Sequence, residues 1–241
     1  MDSGFTLEKE KWNALLVRLL QYYQVYAPCL YDEQVEYAVI TKENVNGIVY
    51  NCPKPVSPLK TLFLPIRENL FMNNGKSKRI IMGVPSCDLS ALSILDEIYL
   101  DKEYIDPTYS RNRNHTILIG TDCHSTNEHC HCTTYGFKPY VEENADLVLN
   151  QIGNRVVLTI KTEKGGNFIK EHIRTYDPIN SEDRKAIQNL REEVVKELKD
   201  KNSELPDYRK TGSLIEASGK DIWKKYSENC VSCGACSAIC P

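Results

Sequence analysis

The sequence predicts an α/β protein: an N-terminal mixed α/β domain with a βαβ unit, followed by helices and a short cysteine-rich end. Three stretches carry this expectation. KRIIMGV (78–84) is a short apolar run of the kind that fills a buried strand. SCDLSALSILDEIYL (86–100) follows with the apolar spacing of a helix, and HTILIGTDC (115–123) supplies a second strand. Strand, helix and strand at this spacing describe a parallel pair joined by a crossover. The chain divides accordingly into an α/β domain over 1–175, a helical connection over 176–228 and a final segment over 229–241.

The remaining elements follow in order. TLEKEKWNALLVRLLQYYQVYAP (6–28) reads as a helix with Thr6 as N-cap, an apolar stripe through Leu7, Trp12, Leu15, Leu16, Leu19 and Leu20, and an end at Pro28. VEYAVI (35–40) and GIVY (47–50) are rich in β-branched and aromatic residues and predict short strands. PLKTLFLPIRENLFMNNGK (58–76) mixes prolines with apolar residues and should cover one face of the core, with a turn at Asn73, Asn74 and Gly75. DLVLNQIGNRVVLTIKTEKGG (146–166) reads as a hairpin turning at Gly153 and Asn154. SEDRKAIQNLREEVVKELKDK (181–201) is a charged amphipathic helix, with Ser181 as N-cap and Glu182 and Asp183 suited to its positive end. NSELPDYRKTG (202–212) has the composition of a linker, and SLIEASGKDIWKKYSENC (213–230) predicts a helix running into the last cysteines.

Composition removes several function classes. The chain has 241 residues, 41% of them hydrophobic and 26% charged, with a net charge of -3. No basic stripe offers itself to nucleic acid. No apolar run approaches the roughly 18 residues of a membrane-spanning helix, and the opening MDSGFTLEKEKW is charged where a secretory signal is apolar. A cytoplasmic location without membrane insertion is the expectation. KTEKGGNF has two glycines, yet neither G-x-G-x-x-G nor a Walker A motif occurs, so nothing supports a nucleotide site.

Ten cysteines are the informative number. Cys29 and Cys52 stand apart and read as buried or incidental. Cys230, Cys233, Cys236 and Cys240, with Pro241, form C-x2-C-x2-C-x3-C-P, the ferredoxin spacing for a [4Fe–4S] cluster. Thiolates at x2 intervals let a tight loop wrap one face of a cuboidal cluster. Gly234 relieves crowding where backbone approaches inorganic sulfide, and Pro241 turns the chain away. Structural zinc sites instead place two ligand pairs well apart. In such motifs the fourth cysteine ligates a different cluster from the first three. The segment 229–241 therefore reads as the first half of a ferredoxin-type domain, its clusters needing ligands beyond residue 241.

The second group is Cys87, in the turn after the first strand, with Cys123, Cys130 and Cys132 of DCHSTNEHCHC after the second. Parallel neighbours bring both turns to one sheet edge, where functional groups of α/β units gather. Four thiolates there suit a [4Fe–4S] cluster or a tetrahedral zinc. His124, His129 and His131 in the same loop keep mixed ligation open. A helix start at Cys87 would favour its thiolate. Asp88 and Asp122 flank site cysteines and suit caps or supporting hydrogen bonds. Arg111 and Arg113 read as a solvated pair or as groups facing a partner. No catalytic residue is assigned.

PLKTLFLPIRENLF, GVPSCDLSALSILDEIYL, DPTYSRNRNHTILIGTDC and CHCTTYGF occur in this order ahead of the ferredoxin-type motif. From about residue 55 onward the chain resembles a family of iron–sulfur electron-transfer proteins, the A-type subunits of anaerobic sulfite reductases and the beta subunits of sulfhydrogenases. In that family the turn carries an Arg and the loop reads Cys-Phe-Cys. Here the turn is GVPSCD, and His131 stands in the Phe position. The resemblance implies a subunit that relays electrons between two others: a flavin-containing one that oxidises NAD(P)H, and a catalytic reductase or hydrogenase subunit. It also implies a C-terminal two-cluster ferredoxin domain. Two other readings stand beside it: a reductase whose own middle site acts on substrate, and a zinc-stabilised interaction module.

Overall fold

Residues 78–123 form the expected βαβ unit at the centre of one mixed sheet. The computed structural model describes residues 4–53, 55–64 and 78–239. Cys240 and the turn expected at Asn73, Asn74 and Gly75 lie outside these. In chain order the elements are β1 (Gly4–Glu8), α1 (Lys9–Leu19), β2 (Gln24–Tyr31), β3 (Gln34–Val39), β4 (Arg79–Pro85) and α2 (Ser86–Tyr99). Next come α3 (Pro107–Asn114), β5 (Thr116–Thr121), β6 (Leu147–Ile152), β7 (Arg155–Ile160), α4 (Glu163–His172) and β8 (Asp177–Pro178). The chain then runs through α5 (Ser181–Lys201), α6 (Thr211–Ala217), α7 (Lys220–Ser227) and α8 (Ala235–Ile239).

The strand order is β3-β2-β4-β5-β6-β7-β1-β8. β2, β4, β5 and β6 are parallel neighbours, and antiparallel pairs extend both flanks. Alternate side chains of the central strands feed two apolar layers. Ile80, Met82 and Ile119 join Trp12 and Leu16 of α1 on one face. Ile81, Leu118 and Val84 join Leu89 and Leu92 of α2 on the other. No helix among the described residues is long and apolar enough to cross a membrane.

Several elements differ from the sequence expectation, each for a physical reason. The first helix starts later, because Gly4–Glu8 pairs with β7 and β8 as a strand. Thr6 is buried there and donates its hydroxyl to Asp183 (3.5 Å) instead of capping α1. The helix also ends earlier, at Leu19, and Pro28 sits inside β2. Pro28 has no N–H to give, and the parallel β2–β4 ladder stops at Tyr26. Its ring lies over Gly83, where an added Cβ would stand 2.6 Å from the proline carbons. Gly83 has φ +73° at a bulge in β4, so close approach and left-handed backbone both call for glycine.

GIVY contributes only a single bridge, Ile48 to Cys29. DPTYSRNRN is a helix capped by Asp106, which accepts from the Tyr109 N–H (2.7 Å). Arg113 there is paired with Asp96 at 2.6 Å. The hairpin forms as expected, with Gly153 at φ +58°. The glycines after it open α4, and a Cβ on Gly165 would meet the Asp146 carbonyl oxygen at 2.2 Å. The long helix is present, capped by Asn180, not Ser181; Asn180 accepts from the Asp183 N–H at 2.7 Å. The last predicted helix is two, α6 and α7, broken at Ser218 and Gly219.

Candidate metal centre

The register of the parallel pair sets the site. Pro85 of β4 lies opposite Thr121 of β5, so the two strands end level. Cys87 is the second residue of α2, where the helix dipole favours a thiolate. Cys123 follows β5, its N–H bonded to the Pro139 carbonyl (2.8 Å). The loop between them folds back on itself. The Phe137 N–H bonds the Cys132 carbonyl at 3.0 Å, and Gly136 supplies the left-handed residue at φ +80°. Cys87, Cys123, Cys130 and Cys132 thereby line one cleft of about 580 Å³. Its walls are largely apolar, with Val56, Ile94, Phe137, Val194 and Leu198 among them.

The thiols feel one another. Burial pushes the Cys123 thiol well up, and Cys87, Cys130, Cys132 and Cys52 push it further. Burial, then Cys130, raises Cys132. Each added negative charge is unfavourable in this cleft unless a cation compensates it. Cys130 already accepts a hydrogen bond, from the Asn127 N–H to its sulfur at 3.2 Å. Among the described residues no three His, Cys, Asp or Glu side chains close on a common point at metal-ligand spacing.

Beneath the loop lies a polar network. Asp122 is fully buried. It accepts from the Val141 N–H (2.9 Å), the Asn150 amide (2.9 Å) and Arg191 of α5, whose Nη2 is 2.7 Å away. Arg191 also stacks over Tyr140, 4.7 Å from the ring centre. Asn51, at φ +53°, donates to the Asp122 carbonyl (2.8 Å) and accepts from the Gln151 N–H (2.7 Å). His124 bonds Asn150 (3.0 Å), and burial lowers its pKa. The sequence pointed to a supporting role for Asp122. Asn51, Asn150 and Arg191 carry no such local signal, because each lies well away along the chain from Cys87, Cys123, Cys130 and Cys132.

Helix α5 straps the same loop from outside. Thr126 donates to Glu197, Lys201 donates to the Asn127 carbonyl, and Asn202 donates to the Cys130 carbonyl at 3.0 Å. His129 and His131 line the cleft, with the His131 ring 5.4 Å from that of Tyr135. Cys29 and Cys52 are both buried, as expected. Yet Cys52 is not remote: its carbonyl lies 4.0 Å from the Cys123 sulfur, and burial pushes its own thiol up to about 11.

The C-terminal set is arranged differently. Cys230, Cys233 and Cys236 are exposed. Ser232 (φ +54°) and Gly234 (φ +73°) bend the chain between them. A Cβ on Gly234 would meet nothing within 4 Å, so backbone conformation is what favours glycine here. Lys60 donates to the Ser237 carbonyl (3.1 Å), tying this end to the α/β body.

No protein-family model matches the chain. It is similar to sulfhydrogenase 2 subunit beta of Pyrococcus furiosus, with 26% identity over 243 residues, covering 98% of this chain and 70% of that protein. The likeness thus reaches well before residue 55, into β1 and α1. It supports a relation between this chain and the family of that subunit.

Proposed function

We propose that the chain is an iron–sulfur electron-transfer subunit of an oxidoreductase complex. On this reading Cys87, Cys123, Cys130 and Cys132 hold a [4Fe–4S] cluster, and Cys230, Cys233, Cys236 and Cys240 are ligands of the ferredoxin-type part. The clusters supply one-electron exchange. The partners would be a flavin-containing reductase subunit together with a catalytic reductase or hydrogenase subunit. The relation to a sulfhydrogenase beta subunit is consistent with membership of such an assembly.

One observation carries the reading: four cysteines from two strand ends line a single apolar cleft, where burial and then Cys87, Cys130 and Cys132 raise the pKa of Cys123. The donor set fits a cationic group with four thiolate ligands. Size also fits. A cleft of about 580 Å³ has far more room than one metal ion fills. The protein's own part is to orient and shield. Cys87 is fixed by the start of α2, and the Asn127 N–H donates to the Cys130 sulfur. Buried Val194 and Leu198 keep water from the cleft wall they form, and burial and hydrogen bonds to sulfur set a cluster's potential.

Anaerobic reconstitution of the full gene product, followed by iron and acid-labile sulfide analysis, tests this. Cys87→Ser should lose the iron and sulfide of one cluster, while Cys29→Ser should keep the full complement. Zinc without sulfide, or equal loading of both variants, would sink the assignment.

A further inference from the structure

The C-terminal end of α5 is fastened to one short turn of the cysteine loop. That turn runs from Asn127 to Cys130 and closes on itself twice. The Cys130 N–H donates to the Asn127 carbonyl at 3.1 Å, and the Asn127 N–H donates to the Cys130 sulfur at 3.2 Å. The backbone thus supplies a donor to one cysteine of the candidate centre, and the aim of that donor depends on the shape of the turn.

Two residues of α5 and its C-cap hold that shape from outside. Glu197 accepts from the Thr126 hydroxyl, Lys201 donates to the Asn127 carbonyl, and the Asn202 amide donates to the Cys130 carbonyl at 3.0 Å. Glu197 and Lys201 stand one helical turn apart, beside Val194 and Leu198, which share that spacing and line the cleft. One side of α5 therefore forms a cleft wall and grips the turn. Attachment of the helix alone does not call for this grip. Buried Ile187, Val194 and Leu198, with the Arg191–Asp122 pair, already fix α5 to the body. The three polar contacts instead fall on the residues that flank, carry and receive a single hydrogen bond to sulfur.

We propose that Lys201 and Asn202 are positioning residues of this centre: by clamping the Asn127–Cys130 turn they keep the Asn127 N–H aimed at the Cys130 sulfur, and so favour the reduced state of the group that sulfur ligates. The inference rests on the iron–sulfur reading above. Hydrogen bonds to ligating sulfur are among the features that set a cluster's potential. Reduction adds negative charge to the sulfur, which strengthens a donated N–H bond. Loosening the turn weakens that bond and makes reduction harder.

The test compares wild type with Asn202→Ala, Lys201→Arg, Ile187→Ala and the double variant Lys201→Met with Asn202→Ala, all as full, anaerobically reconstituted proteins. The signal followed by electron paramagnetic resonance is the one lost in Cys87→Ser. The double variant should retain iron and sulfide, and its midpoint potential should fall so that reduction is about tenfold less favourable, or about 59 mV for one electron. Asn202→Ala, which changes no charge, should move part of that way, and Lys201→Arg should stay at the wild-type value. Ile187 lies nearly three turns before Glu197, so Ile187→Ala should lower the urea midpoint and leave the potential unmoved. In the metal-free proteins the Asn127 amide should exchange its hydrogen faster in the double variant than in wild type. A loaded double variant with the wild-type potential overturns this inference alone. So does a shift in the double variant with none in Asn202→Ala, because the Lys201 charge then acts without the clamp. An equal shift in Ile187→Ala overturns it too, since general packing of α5 then sets the potential. Wild type without iron and sulfide overturns both this inference and the reading beneath it. If the double variant does not load, Asn202→Ala decides: an unchanged potential overturns the proposal, and a fall supports it.

Discussion

At the scale of single residues, chemistry depends on what each side chain meets after folding. His172 illustrates this away from the cysteines. Its side chain is 13% exposed, its Nε2 is 3.1 Å from the Tyr23 hydroxyl, and its ring packs against Phe168 and Tyr23. Burial lowers its pKa first; Lys78 and Arg18 lower it further, and Glu171 opposes them. The unfolded chain, with a histidine pKa of about 6.5, takes up the proton before the folded chain does. The stability this residue contributes is thus fully present above that pH and is lost as pH falls through the folded-state pKa. Melting temperature should drop as pH is lowered from about 7 to about 5, and His172→Gln should flatten that drop. Equal pH slopes for the two proteins would contradict the assignment.

At the scale of elements, α5 has two tasks. Its buried Ile187, Val194 and Leu198 close the fold, and its polar residues reach the cysteine loop. The ion pair of Arg191 with fully buried Asp122 anchors it to the sheet, with the Arg191 side chain 27% exposed. Breaking a buried pair from one side costs about 3–5 kcal/mol. Partial exposure and the two remaining donors on Asp122 reduce this, so Arg191→Met should cost about 2 kcal/mol, read as a lower urea midpoint at unchanged m. A midpoint within error of wild type would remove α5 from its anchoring role. Parts of this arrangement were legible in the sequence. The 181–201 helix shows in its charge pattern and acidic start, and the βαβ unit shows because both strands and the helix are continuous local signals. The strand at Gly4–Glu8 was hidden because its partners, Arg155 to Thr159 with Asp177 and Pro178, lie far along the chain. Pro28 looked like a stop because the sequence cannot reveal Gly83 making room for its ring. Likewise the cysteines could be paired by strand order, while Asn51, Asn150 and Arg191 reach the site only through tertiary packing.

At the scale of the whole molecule, the two cysteine groups stand in opposite relations to the fold. Cys87 and Cys123 owe their proximity to the pairing of β4 with β5, whereas Cys230, Cys233 and Cys236 are close along the chain and exposed. On the proposed reading, denaturant titration of the loaded protein should release the middle iron and sulfide together with the loss of sheet signal in circular dichroism. Release well before the sheet melts would separate the site from the fold. The level ends of β4 and β5 also impose an order of events during biosynthesis. A contiguous run of cysteines can capture metal while the chain around it is still unstructured. On the proposed reading the middle set cannot do so in full, because Cys87 joins Cys123, Cys130 and Cys132 only when β4 pairs with β5. A cluster proposed there would be inserted only after the sheet has closed, and its presence would report on correct folding.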